Sequence, residues 1–317
     1  VGAPAATTSG DYVGSIDFAG HSGSSFAVGA RISGIVSSGA TASSLAFFTN
    51  GTTEYMRLTD VGRLGIGVTA PGFEFHLVSS GNNIPTFDLY STTAGIYGGP
   101  VCQFRHARGS VGTPAALSSG DYLGAFDFTG HDGTNFRAGG RMHCTTSEAW
   151  TTSANGTEFV FSTIPNGSLT ITERMRVGNA GAIFINDTSN ANMTVGLTIN
   201  QGANDNTILA LKSSDVAHGI TDQQETDTYG YFQKYSSTGG GLQMEGLSET
   251  TVGVYIAGRH TTDDTARSTA AIGCIVLQGS LKSGTTSTNL GINGNILVVR
   301  DSTAARFLVD AEGDIHM

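Results

Sequence analysis

From Tyr12 to Phe18 the even positions, Tyr12, Gly14, Ile16 and Phe18, are apolar or glycine, while the odd ones include Ser15 and Asp17. The same alternation returns at Tyr122, Gly124, Phe126 and Phe128, with Asp127 between. A period of two puts the apolar set on one face of a half-buried strand. Each stretch runs into Gly20-His21-Ser22-Gly23 or Gly130-His131-Asp132-Gly133, whose glycines reach positive φ without steric cost. A second alternating stretch follows, Phe26-Val28-Ala30-Ile32 or Phe136-Ala138-Gly140-Met142. The pattern predicts one β-hairpin used twice. Setting Phe18 opposite Phe26 and Phe128 opposite Phe136 places Asp127 across from Arg137, an opposite-charge pair on the solvent face.

A second phrase occurs three times: Met56-Leu58-Gly62-Leu64, Met175-Val177-Gly181-Ile183 and Phe307-Val309-Gly313-Ile315. Each copy has two short alternating stretches around a glycine-bearing turn, the pattern of a small hairpin closing a unit. Copies about 120 to 130 residues apart are the mark of a repeat architecture. Three units follow: a partial first repeat at 1–67, a second at 68–187 and a divergent third at 188–317. Val1-Gly2-Ala3-Pro4 matches Val111-Gly112-Thr113-Pro114, well inside the second unit. The chain is therefore expected to begin mid-repeat, as a window of a longer polypeptide.

Between these landmarks, the Gly/Ser/Ala-rich run Ser33 to Ser44 reads as a loop. Leu45 to Thr49 reads as a strand closed by a two-residue Asn50-Gly51 turn. Phe73 to Val78 and Thr86 to Tyr90 open the second unit, and Val195 to Ile199 and Thr207 to Leu211 open the third. Val101 to Arg105 and Thr157 to Ser162 are further strand candidates. In the third unit, Tyr229 to Gln233 and Leu242 to Met244 form its version of the hairpin, without the Gly-His-x-Gly turn. Ala271 to Leu277 and Asn295 to Arg300 are its strongest apolar strands.

Composition narrows the class. The 317 residues include 45 Gly, 16 Phe and only 6 Pro, with 13% charged side chains, which suits ordered strands and frequent turns rather than disorder. Hardly any segment carries a helical stripe, so the expectation is an all-β chain with almost no helix. A net charge of −10 and no Lys/Arg cluster argue against nucleic acid as a partner. No apolar run approaches the length of a membrane helix, which argues against membrane insertion. Cys102, Cys144 and Cys274 have no metal-ligand spacing and read as small core residues, with an intermolecular disulfide as the alternative.

The run Tyr55 to Gly67, its echo Glu173-Arg174-Met175-Arg176-Val177, and Arg306 to Ile315, set among Gly/Ser/Thr-rich strands, resemble repetitive regions of bacteriophage tail fibres and tailspikes. The resemblance spans most of the chain. It implies an elongated, intertwined homotrimer of repeat-built β-hairpin, β-sandwich or β-prism modules. It also implies a non-enzymatic virion segment that contacts other virion proteins and host cell-surface polysaccharide. Independently, small units poor in large apolar residues gain stability by leaning on neighbouring repeats or sister chains. The alternatives are a tailspike depolymerase cleaving capsule or lipopolysaccharide, and a capsid decoration or baseplate module.

Candidate chemistry is thin. His21 and His131, each with an aspartate four residues before and an arginine ten after, could be a base or ligand set. The simpler reading is a turn histidine bonded to local backbone. The acids Asp222, Glu225 and Asp227, or Asp263 with Asp264, could act as a glycan-cleaving pair, but read as solvated turns. No His-x-His pair, esterase elbow or P-loop occurs, so neither a metal nor a cofactor is implied and no catalytic residue is assigned. Trp150, Tyr229 and Tyr231 are the candidate glycan- or receptor-binding residues, since an aromatic face can stack on a sugar. The simpler reading of each is a core or interface anchor.

Overall fold

The computed structural model describes residues 6–21, 23–38, 42–50, 52–79, 88 and 101–317. The chain divides into two compact units, Val1–Gln103 and Phe104–Met317. Every regular element among the described residues is a strand.

The first unit holds one six-stranded sheet: β1 (Tyr12–His21), β2 (Phe26–Ser38), β3 (Ala42–Thr49), β4 (Thr53–Leu58), β5 (Leu64–Ile66) and β6 (Phe75–Leu77), in sequence order. Neighbours are antiparallel except β5 and β6, which run parallel. The second unit begins with the ribbon β7 (Arg108–Ser110) and β8 (Thr113–Ala115). It then builds the same sheet again from β9 (Tyr122–His131), β10 (Phe136–Thr146), β11 (Thr157–Thr163), β12 (Thr172–Val177), β13 (Ile183–Ile185) and β14 (Leu197–Ile199). Its last pair is again parallel. Both sheets thus run one strand beyond residues 67 and 187. Three smaller sheets follow: β15 (Leu209–Lys212) with β16 (Thr228–Ser236) and β17 (Gly240–Gly246); β18 (Leu281–Ser283) with β19 (Thr286–Thr288); and β20 (Asn295–Arg300) with β21 (Ala305–Asp310) and β22 (Ile315–His316).

The threefold phrase is one turn built three times. Gly62, Gly181 and Gly313 sit at φ 84°, 87° and 91°. Each donates its N–H to the carbonyl three residues earlier, on Thr59, Gly178 and Asp310. This is a type I turn followed by a left-handed residue, a geometry that glycine adopts without strain.

The doubled hairpin forms, but in a tighter register than predicted. His21 faces Phe26 and His131 faces Phe136, so strand pairing reaches the histidine in both copies. Gly29 and Gly139 are each an extra residue in the second strand, a bulge that shifts the pairing by one. Asp17 therefore faces Arg31 and Asp127 faces Arg141, while Arg137 reaches back to Asp132 at 2.8 Å.

Four other expectations are corrected. Residues 33–44 are not a loop: β2 runs to Ser38 and β3 starts at Ala42, with 39–41 outside the described residues. Their small side chains are a packing feature, since Ser33 and Ser44 are buried beside Ile35, Ala46 and Phe48. Thr49 pairs with Thr53, a longer loop than two residues, with Asn50 left-handed at φ 51° and Gly51 outside the described residues. Val101–Arg105 and Ala271–Leu277 are not strands; apolar alternation without a neighbouring edge makes no hydrogen-bond ladder. Cys102 and Cys274 are exposed rather than core, and all three cysteines are free. Apart from Asp88, the predicted strand at 86–90 lies outside the described residues.

Candidate functional site

Pairing sets whole side-chain rows across each sheet, because directly opposed residues point to the same face. In the first sheet one row reads Ile16, Ile32, Phe47, Met56, Ile66, Leu77 from β1 to β6. In the second it reads Phe126, Met142, Phe161, Met175, Ile185, Ile199 from β9 to β14. A parallel row adds Leu45, Leu58, Leu64 and Phe75, or Phe159, Val177, Ile183 and Leu197. None of these side chains is buried, and Ile16 is 63% and Leu197 56% exposed. The buried residues Ser33, Ile35, Ala46 and Phe48, and His143, Thr145, Val160 and Phe184, alternate with them and so lie on the opposite face. Each sheet covers one face from its own chain and leaves the greasier one bare.

On that opposite face both copies carry the same ion pair. Asp17 accepts two hydrogen bonds from Arg31 at 2.6 and 2.9 Å, and Asp127 two from Arg141 at 2.5 and 2.8 Å. The guanidinium holds each carboxyl below its ordinary range. The arginines also lie over Tyr12 and Tyr122, at 5.8 and 5.6 Å from the ring centres. His21 and His131 are turn histidines, accepting at Nδ1 from the N–H of Gly23 and Gly133 at 3.1 Å. Their rings pack edge-on against Phe26 and Phe136 at 5.1 Å.

The three aromatic candidates are not brought together. Trp150 is half-buried, donates from its backbone to Leu117 at 3.0 Å, and lines a hollow of about 320 Å³ with His106, Ala115, Leu117 and Asn155. Tyr229 keeps an exposed ring beside a separate hollow of about 380 Å³, with Val216, Leu247 and Val252. Tyr231 is 1% exposed and donates its hydroxyl to Glu245 at 2.7 Å, so its ring face is closed to a ligand. Burial and the Glu245 carboxylate push that hydroxyl up to about 12.

The acids fall into turns and ion pairs. Glu225 and Asp227 both pair with Lys212, and Asp264 accepts the backbone N–H groups of Ala266 and Ile272. Among the described residues Asp310, Glu312 and Asp314 come close enough to share a cation. Asp310, however, already accepts from two backbone N–H groups and contacts His316 at 3.1 Å.

The apolar rows were missed as a site because period-two alternation says which strand face is apolar, not which strands align. No protein-family profile and no curated protein matches the chain. Solved structures similar to it include the following two. One is the carboxy-terminal domain of the bacteriophage T5 L-shaped tail fibre: 16% identity and TM-score 0.51, covering 59% of this chain and 84% of that one. The other is that domain with its intra-molecular chaperone domain: 15% identity and TM-score 0.52, covering 77% and 72%. The fold is that of a phage tail fibre. Repeated meander sheets with no helix among the described residues agree with the all-β expectation.

Proposed function

We propose that this chain is a structural segment of a phage virion fibre that assembles as a homotrimer and attaches the particle to host cell-surface polysaccharide without catalysis. The observation that carries the reading is the pair of uncovered apolar rows, each crossing six strands. Apolar area of that extent is stabilised when removed from water, and a sister copy offers a matching face. The need for a partner comes from the rows; the number three comes from the tail-fibre resemblance.

In this reading the chain is laid out as units 1–67, 68–187 and 188–317, sits on the virion surface, and contacts other virion proteins. Trp150 and Tyr229 retain ring area that a sugar could stack on. Of the acids that a glycan-cleaving alternative would use, Asp222, Glu225, Asp227, Asp263 and Asp264, two, Glu225 and Asp227, are paired with Lys212. The test is binding of the labelled protein to lipopolysaccharide and capsule from a panel of bacterial strains, with reducing ends assayed in parallel. Saturable binding to at least one preparation without release of reducing ends is expected. Turnover abolished by Glu225→Gln, or no binding to any preparation, would overturn the reading.

A further inference from the structure

The covered faces of the two six-stranded sheets differ at equivalent positions. Arg31 pairs with Phe48 and Arg141 with Ser162, so Phe48 and Ser162 correspond; likewise Ser33 with His143, Ile35 with Thr145, and Ser44 with Glu158. In the first sheet Phe48 is 5% exposed, packs with Ile35 and Ala46, and lies 6.3 Å from the Tyr12 ring. In the second sheet Ser162 leaves that space open. The result is a hollow of about 610 Å³, lined by Tyr122, His143, Thr145, Glu158, Glu173 and Arg176 together with Ser162.

The hollow is built from fixed polar groups. Arg176 donates to both Glu158 and Glu173, the latter at 2.7 and 2.8 Å, which holds two carboxylates in place with acceptor capacity to spare. His143 is 8% exposed, its ring lies 4.2 Å from Tyr122, and its Nδ1 has no hydrogen-bond partner. Burial lowers the pKa of that imidazole, which keeps it neutral at pH 7 and able to donate from one nitrogen and accept at the other. Two carboxylates against one guanidinium disfavour an anionic ligand, and the polar lining disfavours an apolar one. An uncharged ring bearing many hydroxyls meets every group present. The size lies within the roughly 300–1,000 Å³ of small-ligand sites. His143 and Thr145 alternate with Met142 and Cys144, so the hollow faces away from the apolar row.

We propose that this hollow on the second sheet is a saccharide-binding site for an uncharged hexose unit of a glycan, hydrogen-bonded by Glu158, Glu173 and His143 beside the Tyr122 ring. Its biological ligand rests on the host-attachment reading; its chemistry does not. The test is saturation-transfer NMR with the methyl glycosides of glucose, galactose, mannose and N-acetylglucosamine, on the intact chain and on Ser162→Phe. The first sheet already carries phenylalanine at that position, so the substitution suits the fold; Glu158→Gln serves as a second variant that leaves the space open. Binding of at least one glycoside in the millimolar range is expected, weakened at least about tenfold by either variant at unchanged assembled mass. No transfer to any glycoside, or equal transfer in both variants, overturns the site. Polysaccharide adhesion that persists undiminished in Ser162→Phe overturns this site but leaves host attachment standing. Glycoside binding without adhesion to any polysaccharide does the reverse.

Discussion

The two six-stranded sheets share strand order, register, bulge and turn, yet their two faces have diverged unequally. The rows on the bare face keep their character through substitution: Ile16 becomes Phe126, Ile32 becomes Met142, and Phe47 becomes Phe161. On the covered face Phe48 becomes Ser162 and Ser33 becomes His143, exchanging packed ring for open polar space. In the proposed assembly the face that meets other copies stays apolar, whereas the opposite face is free to change its chemistry. The ion pairs Asp17–Arg31 and Asp127–Arg141, on the same face as the hollow, do not change.

The largest effect should come from charging the bare face. Phe161→Asp places a carboxylate in the middle of the second row, where an assembled core would have to bury it unpaired. Loss of assembly is expected by size-exclusion chromatography with light scattering, and Phe47→Asp should do the same through the first sheet. If both proteins keep the native mass, the rows are not the contact surface.

Next comes the position where the sheets differ. Phe48→Ala removes a buried ring and should cost about 3–5 kcal/mol in thermal or denaturant unfolding. Ser162→Ala, at the matching site, should change stability by no more than about 0.5 kcal/mol. Equal losses at the two positions would mean that the hollow of the second sheet is filled in solution.

Smaller and equal effects are expected where the sheets agree. Gly62→Ala and Gly181→Ala meet open space, so the cost is conformational, about 1–2 kcal/mol each for a left-handed alanine. Unequal losses would show that the two turns differ in solution. The ion pairs should matter least, since exposed pairs contribute little. Asp17 and Asp127 have folded pKa values below the unfolded one. Their contribution is therefore complete above the unfolded value, about 4, and lost as pH falls through the lower folded value. Arg31→Gln and Arg141→Gln should each flatten the acid limb of the stability curve to the same small degree.

Much of this was legible in the chain. The hairpins, the three glycine turns and the absence of helix among the described residues follow from alternation and from where Gly62, Gly181 and Gly313 fall. The register did not, because Gly20 and Gly23 both look like turn residues, and only Gly23 takes positive φ, at 92°. Residues 33–38 were misread because serine and glycine are frequent both in loops and where strands pack closely. Ala271 to Leu277 has strand-like residues but no edge to pair with, something composition cannot report. At the candidate sites, Tyr231 looked like its neighbour Tyr229, yet only Tyr229 keeps its ring exposed. The hollow was invisible until pairing aligned Ser162 with Phe48, which sit at different offsets from the repeated phrases.

The most direct test of the central claim is the mass of the intact chain in solution by sedimentation equilibrium at micromolar concentration. A single species near 98 kDa, about three times the 32.6 kDa chain, is the expected result, with Phe161→Asp falling to the monomer. A stable 32.6 kDa species that melts cooperatively with both apolar rows in water would contradict it.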